Sequence, residues 1–316
     1  MAITTTANFA HPKHRGFRIP NHYSVIDNAE LATLSVTETI VVHNARELET
    51  APTLGTHGFQ LVHAPTNCDL FNTDEVSTTF YDECRSMLQN VTGCHEVRGG
   101  GHEYRNGFGG EKGERGVKPT PNGSGGAYAM GIHSDMCAAV EHGFSRIVPD
   151  ARHFQSINIW RSADRVRIQM MPLAVCDIGS ISPDDIVFGD GTNTGNIRQY
   201  TKVIDQRIIH SPTQRWYYYP DLEPDEVLIF RQYDTRQESL ARRTVFHQAV
   251  VDPTSSEYAP MRSTIEVRMQ AVFEIETEEE ERKARFIGEI SDHYADGRKC
   301  DWWKGPIENY VPPDGV

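Results

Sequence analysis

Val245-Phe246-His247-Gln248-Ala249-Val250-Val251 decides how this chain folds. A strand's period of two puts Val245, His247, Ala249 and Val251 on one face, where an unpaired imidazole would be costly. His247 is therefore either a satisfied core histidine or a ligand. The next extended stretch, Arg262-Ser263-Thr264-Ile265-Glu266-Val267-Arg268-Met269, carries Arg262, Thr264, Glu266 and Arg268 on one face and Ile265, Val267 and Met269 on the other. Three ionisable groups on a single strand face imply either solvent or a polar cavity with a charged ligand. A guanidinium fork with a hydroxyl two residues on suits a carboxylate.

Working outward, 128–133, 154–161, 165–177, 200–204, 215–219, 227–231, 244–251 and 262–273 read as extended, with turn chemistry between them. The turn Leu222-Glu223-Pro224-Asp225-Glu226 feeds the apolar run Val227-Leu228-Ile229-Phe230, as expected of a strand buried in a sandwich. The expectation is a mainly β chain with flanking helices and a double-stranded β-helix, or jelly-roll, core. One domain is expected over 1–316: N-terminal wrapping strands and a helix in 1–98, a glycine-rich loop or lid in 99–126, the jelly-roll core in 127–273, and a C-terminal helix and tail in 274–316.

Apolar positions Val76, Phe80, Cys84, Met87 and Leu88 recur at helical spacing, with Asn72 or Thr73 as cap. Thr277 and Glu280 form a capping box, and Glu278-Arg282, Glu279-Lys283 and Glu281-Arg285 are favourable i,i+4 pairs, so a helix is expected over 278–290. Trp302-Trp303 in the tail are expected to dock on the domain. The glycine-rich loop is either disordered or a lid; without a preceding strand or a Gly-Lys-Ser/Thr it is no phosphate loop.

The net charge of -13, with 44 acidic against 31 basic residues, disfavours a phosphate backbone or an anionic lipid surface. No nucleic-acid or membrane partner is expected. Six scattered cysteines without a C-x-x-C pair read as reduced thiols. With no leader-like N-terminus and no uncharged run of spanning length, a soluble, cytoplasmic protein is expected.

The chain also holds His133-Ser134-Asp135, at the end of the small apolar run Ala127 to Ile132. Given 14 His and 44 acidic residues, roughly two His-x-Asp/Glu triplets arise by chance. A surface histidine beside a turn aspartate is the bland alternative. Two imidazoles and one carboxylate, however, can occupy one face of an Fe(II) ion and leave positions open for a co-substrate and dioxygen.

At these residues the chain resembles the jelly-roll Fe(II)/2-oxoglutarate oxygenases, and most closely the family of the cephamycin biosynthesis protein CmcJ, the fungal hydroxylase/desaturase AsaB and gibberellin desaturase. The similar pieces lie in order between about 95 and 270: His95 to Arg98, His133 to Asp135, Asn158 to Arg161, Pro172 to Asp177, Trp216 to Pro220, Phe230 to Asp234 and Arg262 to Arg268. The glycine-rich loop departs from the pattern. The resemblance implies His133, Asp135 and His247 as metal and catalytic ligands, with Arg262 and Thr264 gripping 2-oxoglutarate. Asn158 and Arg161 are further candidates for the co-substrate, although alternation puts them on opposite faces. Arg98, Tyr104 and Arg268, with Arg105, are candidate contacts to a small-molecule substrate, expected to bear a carboxylate.

The resemblance further implies Fe(II), 2-oxoglutarate and O2, with oxidation of an unactivated C–H bond in secondary metabolism: hydroxylation, desaturation or oxidative ring closure, for example of a small amino acid such as L-valine. Three rivals stand beside it. An iron oxidase of the isopenicillin-synthase type would use Arg262 and Thr264 on its substrate's own carboxylate. A non-catalytic jelly-roll binding protein would keep His247 in its core. A zinc hydrolase would need a glutamate base that does not accompany the triplet.

Overall fold

The computed structural model describes residues 1–15, 18–20, 33–107, 125–135, 153–191, 203–234, 236–237 and 239–274. The expected helix over 278–290, the tail with Trp302-Trp303, and 108–124 of the glycine-rich loop lie outside the described residues.

The strands, in chain order, are β1 (Ile3–Ala10), β2 (Arg18–Pro20), β3 (Ser35–Asn44), β4 (Phe59–His63), β5 (Glu96–Arg98), β6 (His102–Gly107), β7 (Gly125–Ala127), β8 (Phe154–Ser162), β9 (Leu173–Cys176), β10 (Ile186–Gly191), β11 (Val203–Ile208), β12 (Trp216–Tyr218), β13 (Glu226–Asp234), β14 (His247–Ala249) and β15 (Thr264–Val272). They form a five-stranded sheet ordered β1-β3-β12-β9-β14, a three-stranded sheet β11-β10-β2, and a seven-stranded sheet β4-β13-β8-β15-β6-β7 with β5 also paired to β15. The fold is mainly β, a jelly roll of curled sheets, as the alternating runs predict.

Period-two alternation separates three apolar layers. Leu173, Val175 and Tyr217 of the five-stranded sheet meet Trp160, Leu228 and Phe230 of the seven-stranded sheet, and this is the core between the two. The opposite face of β8, β13 and β15 presents Ile157, Ile159, Ile229, Ile265, Val267 and Met269 to a helix through Val76, Phe80, Cys84 and Leu88. Ala174, Cys176, Trp216 and Tyr218 line the back of the five-stranded sheet, against Ile186 and Ile208.

The helix runs as α1 (Thr73–Glu75), a π-helical turn (Val76–Phe80) and α2 (Tyr81–Thr92). Asn72 caps it by accepting from the Asp74 and Glu75 amides, and Gly93 ends it in the left-handed region. Three expected strands are shorter than their patterns. Over 128–133 only isolated bridges form, at Gly131 and His133, and of 165–177 only Leu173–Cys176 pairs. Over 244–251 only His247–Ala249 pairs with β9, because Val251 has already turned out to solvent.

Gly58 is the one glycine here whose missing side chain is a packing requirement. Its φ is +83°, and a Cβ would stand 2.6 Å from Val245 Cγ2 and 2.7 Å from Ile178 Cγ2. Its carbonyl accepts from the Arg231 amide at 2.8 Å.

Candidate active site

Two segments far apart in the chain meet between the sheets. His133 and His247 form an antiparallel bridge, and their rings lie 4.5 Å apart. The segment before His133 is braced by β1: the Ile132 amide donates to the Asn8 carbonyl at 3.0 Å, and Asn8 Nδ2 donates to the Met130 carbonyl at 2.8 Å. The Asn8 amide also donates to Gln248 Oε1 at 3.3 Å, so one residue of β1 touches the neighbours of both histidines.

One nitrogen, one nitrogen and one carboxylate oxygen from His133, Asp135 and His247 all lie within 4.8 Å of one another. In both histidines Nδ1 is turned to the backbone. That of His133 is 2.8 Å from the Gly131 carbonyl and that of His247 is 3.2 Å from the Val245 carbonyl. A carbonyl only accepts, so each Nδ1 carries the proton and each Nε2 keeps its lone pair for a metal. Burial, reinforced by the neighbouring His133, pushes the His247 imidazole down to about 3, so it stands neutral as a ligand must. The donor set fits a divalent transition ion bound by two imidazoles and a carboxylate.

Asp135 is aimed from three sides. Its amide donates to Gln232 Oε1 at 2.8 Å, and Gln232 sits where the β13/β8 register shifts between Arg231 and Tyr233, a bulge that re-aims the side chain. Asn158 Nδ2 donates to Oδ2 at 2.6 Å, and Arg268 lies 3.4 Å from the same oxygen. Oδ1 faces His133 Nε2 at 3.3 Å. Burial alone would raise the Asp135 carboxyl, but Arg268 and the two histidines outweigh it and hold it well below the usual range.

Arg268 also pairs with Glu266 at 2.8 Å and Glu103 at 3.3 Å. Burial works to lower its guanidinium, and the three carboxylates more than reverse that. Glu266, with the same burial and Asp135 nearby, is raised instead.

These groups line a small cavity of about 20 Å³, with Arg105 and Arg262 at its polar wall and Ala129, Trp160, Leu173 and Ala249 at its apolar one. Such a volume holds roughly one water-sized species. Arg262 is 4% exposed and has no acidic partner within ion-pair distance among the described residues. Its guanidinium donates to the Met171 carbonyl and lies 4.4 Å from the Tyr128 ring centre and 5.3 Å from that of Trp160. Its Nε has no partner. Burial draws it down to about 10; it remains a buried cation in want of an anion.

The other expected site residues divide. Thr264 is on the cavity face, but its hydroxyl donates to the Arg105 carbonyl at 3.2 Å. Asn158 bonds Asp135. Arg161, expected at the co-substrate, lies on the other face of β8, where it donates to the Ala64 and Pro224 carbonyls and sits over the Phe80 ring. Parity on one strand forbids both Asn158 and Arg161 from entering the cavity. Arg98 pairs with Glu96 at 2.7 Å, and Tyr104 donates to the Leu70 carbonyl at 2.5 Å and stacks on Phe71, so neither lines the cavity. Residue reasoning missed Glu103, Trp160 and Gln232. The first two share a face with Arg105 and Asn158 and were findable by alternation; the bulge that delivers Gln232 leaves no sequence signal.

A family model described as "YDMC: Oxidoreductase/YMDC permease-like domain" matches residues 8–273. Among curated relatives, the hydroxylase/desaturase efuI of Hormonema carpetanum is 27% identical over 259 residues, 75% of this chain and 84% of its own length. The hydroxylase/desaturase asaB of Aspergillus flavus is 32% identical over 128 residues, 37% of this chain and 55% of its own. The Fe(II)/2-oxoglutarate-dependent dioxygenase nvfI of Aspergillus novofumigatus is 27% identical over 242 residues, 72% of this chain and 80% of its own. A solved structure of the iron and alpha-ketoglutarate-dependent endoperoxidase NvfI superposes with a TM-score of 0.67 at 23% identity, covering 87% of this chain and 99% of that one. Among the described residues no helix is long and apolar enough to cross a membrane.

Proposed function

The chain belongs to the family of the YDMC oxidoreductase/YMDC permease-like domain, and from that premise we propose that it is an Fe(II)/2-oxoglutarate-dependent oxygenase that oxidises an unactivated C–H bond of a small molecule in secondary metabolism. The observation that carries this reading is the pairing of a preformed His133–Asp135–His247 donor set with a buried guanidinium, Arg262, on the wall of the same cavity.

When bound, iron with 2-oxoglutarate and dioxygen supplies the oxidising power for C–H cleavage, with succinate and carbon dioxide as co-products. The protein's own residues hold and shield. His133 and His247 present Nε2, and Asp135 presents Oδ1. Arg262 grips the distal carboxylate of the co-substrate with its free Nε and its terminal nitrogens, assisted by Thr264 once its hydroxyl turns from the Arg105 carbonyl. Trp160, Leu173 and Ala249 keep that wall dry, which strengthens the ion pair. A carboxylate on the substrate would meet Arg105, the remaining cationic side chain of the cavity wall. Hydroxylation, desaturation and oxidative ring closure differ only in which bond is offered next. A cytoplasmic location belongs to the same reading, supported by the unpaired thiols of Cys68, Cys84, Cys94 and Cys176.

The test is anaerobic titration with Fe(II) and 2-oxoglutarate, then exposure to oxygen with amino-acid, β-lactam and diterpenoid acids. One iron and one 2-oxo acid per chain, with succinate matching oxygen uptake, is expected. Oxygen uptake without succinate would reassign Arg262 to the substrate's own carboxylate, and absence of stoichiometric iron would end the catalytic reading.

A further inference from the structure

We propose that Asn158 and Arg268 are positioning residues that tie down Oδ2 of Asp135, so that this carboxylate offers the metal a single oxygen, Oδ1; the proposal rests on the reading of His133, Asp135 and His247 as a metal centre. A carboxylate's terminal torsion is broad, and an unrestrained aspartate can turn to present either oxygen or both. Here the torsion is fixed. Oδ2 accepts from Asn158 Nδ2 at 2.6 Å and lies 3.4 Å from an Arg268 nitrogen, while Oδ1 faces the His133 nitrogen that serves as ligand.

The two donors are register partners: Arg268 of β15 stands directly opposite Asn158 of β8. One rung of the sheet thus delivers both to one oxygen. Arg268 is itself anchored, by Glu266 at 2.8 Å and Glu103 at 3.3 Å. Asn158 is fully buried, and its Oδ1 has no hydrogen-bond partner. A buried amide that leaves its acceptor unmet is held by what its donor does. Flipping it would set oxygen against the Asp135 carboxylate. The ligand's orientation is therefore kept at the expense of an unsatisfied carbonyl, the pattern of a partner group that aims a metal ligand.

The experiment uses the full chain and Co(II) as probe, with the dissociation constant from calorimetry, the visible spectrum of the bound ion, and the melting temperature of the metal-free protein. Asn158→Ala and the volume-matched Asn158→Leu are expected to weaken Co(II) binding by about 10- to 100-fold and to change the spectrum, as Asp135 becomes free to chelate. Arg268→Lys, which keeps the charge but loses the fork, is expected to show a smaller change of the same kind. A wild-type chain that binds no Co(II) would refute the metal centre itself. A wild type that binds, with both Asn158 variants matching it in affinity and spectrum, overturns the positioning role alone. So does weaker binding with an unaltered spectrum and an equal loss of metal-free stability, because that is the behaviour of a packing residue.

Discussion

His133 and His247 are hydrogen-bonded to each other through their backbones in both directions, at 3.2 and 3.1 Å. Their spacing is thus set by strand pairing and exists before any ion arrives. A preformed site gives up little conformational freedom on binding, so metal uptake needs no folding step. His133→Ala and His247→Ala are expected to abolish stoichiometric Fe(II) or Co(II) binding and turnover while retaining the far-UV circular dichroism of the parent. Retained binding in either variant would dismantle the assignment.

Arg262→Ala is expected to raise the KM for 2-oxoglutarate at least about tenfold, since a charge-assisted pair contributes roughly 1.5–3 kcal/mol, with little change in Co(II) affinity. Arg262→Lys should recover only part of this, because a point charge cannot reproduce the fork. Anaerobic equilibrium dialysis of labelled 2-oxoglutarate separates binding from catalysis. Equal retention by parent and Ala variant would place the co-substrate elsewhere.

Acid should weaken the metal-free protein through His247. Its folded-state imidazole titrates near 3 against an ordinary 6.5, so the unfolded chain takes up a proton that the native state refuses. Stability is complete above about pH 6.5 and falls as pH drops toward 3. Urea midpoints at pH 7 and 4.5 should differ more for the parent than for His247→Gln. Identical differences would mean that the buried imidazole protonates freely in the native state.

Gly58→Ala combines a left-handed backbone with contacts of 2.6 and 2.7 Å to Val245 and Ile178. A loss of roughly 2–4 kcal/mol is expected, measured by urea denaturation. A near-neutral result would show that the Val245 and Ile178 side chains can retreat without cost.

Much of this was written in the alternation of single strands. Parity alone put His247 with Val245 and Ala249, set Arg262, Glu266 and Arg268 against Ile265 and Val267, and separated Asn158 from Arg161. The jelly roll and the kinship with the AsaB group are borne out as read. What escaped was non-local. Asn158 and Arg268 looked like contacts for small molecules, because their pairing across β8 and β15, and the return of Asp135 toward them, depend on register between distant segments. Tyr104 and Arg98 carried the right chemistry on strands whose side chains settle elsewhere. Short pairing at 128–133 escaped for the opposite reason: its apolar residues serve a bracket for His133 rather than a continuous strand.

The bracket made by Asn8 ties the first strand to both halves of the centre at once. Removing Ile3–Ala10 would take away the Ile132, Met130 and Gln248 anchors together, although none of the deleted side chains comes near the cavity. The amino-terminal strand is a remote tether, and engineering at that end of the molecule, by trimming or by fusion, is engineering of the reaction centre.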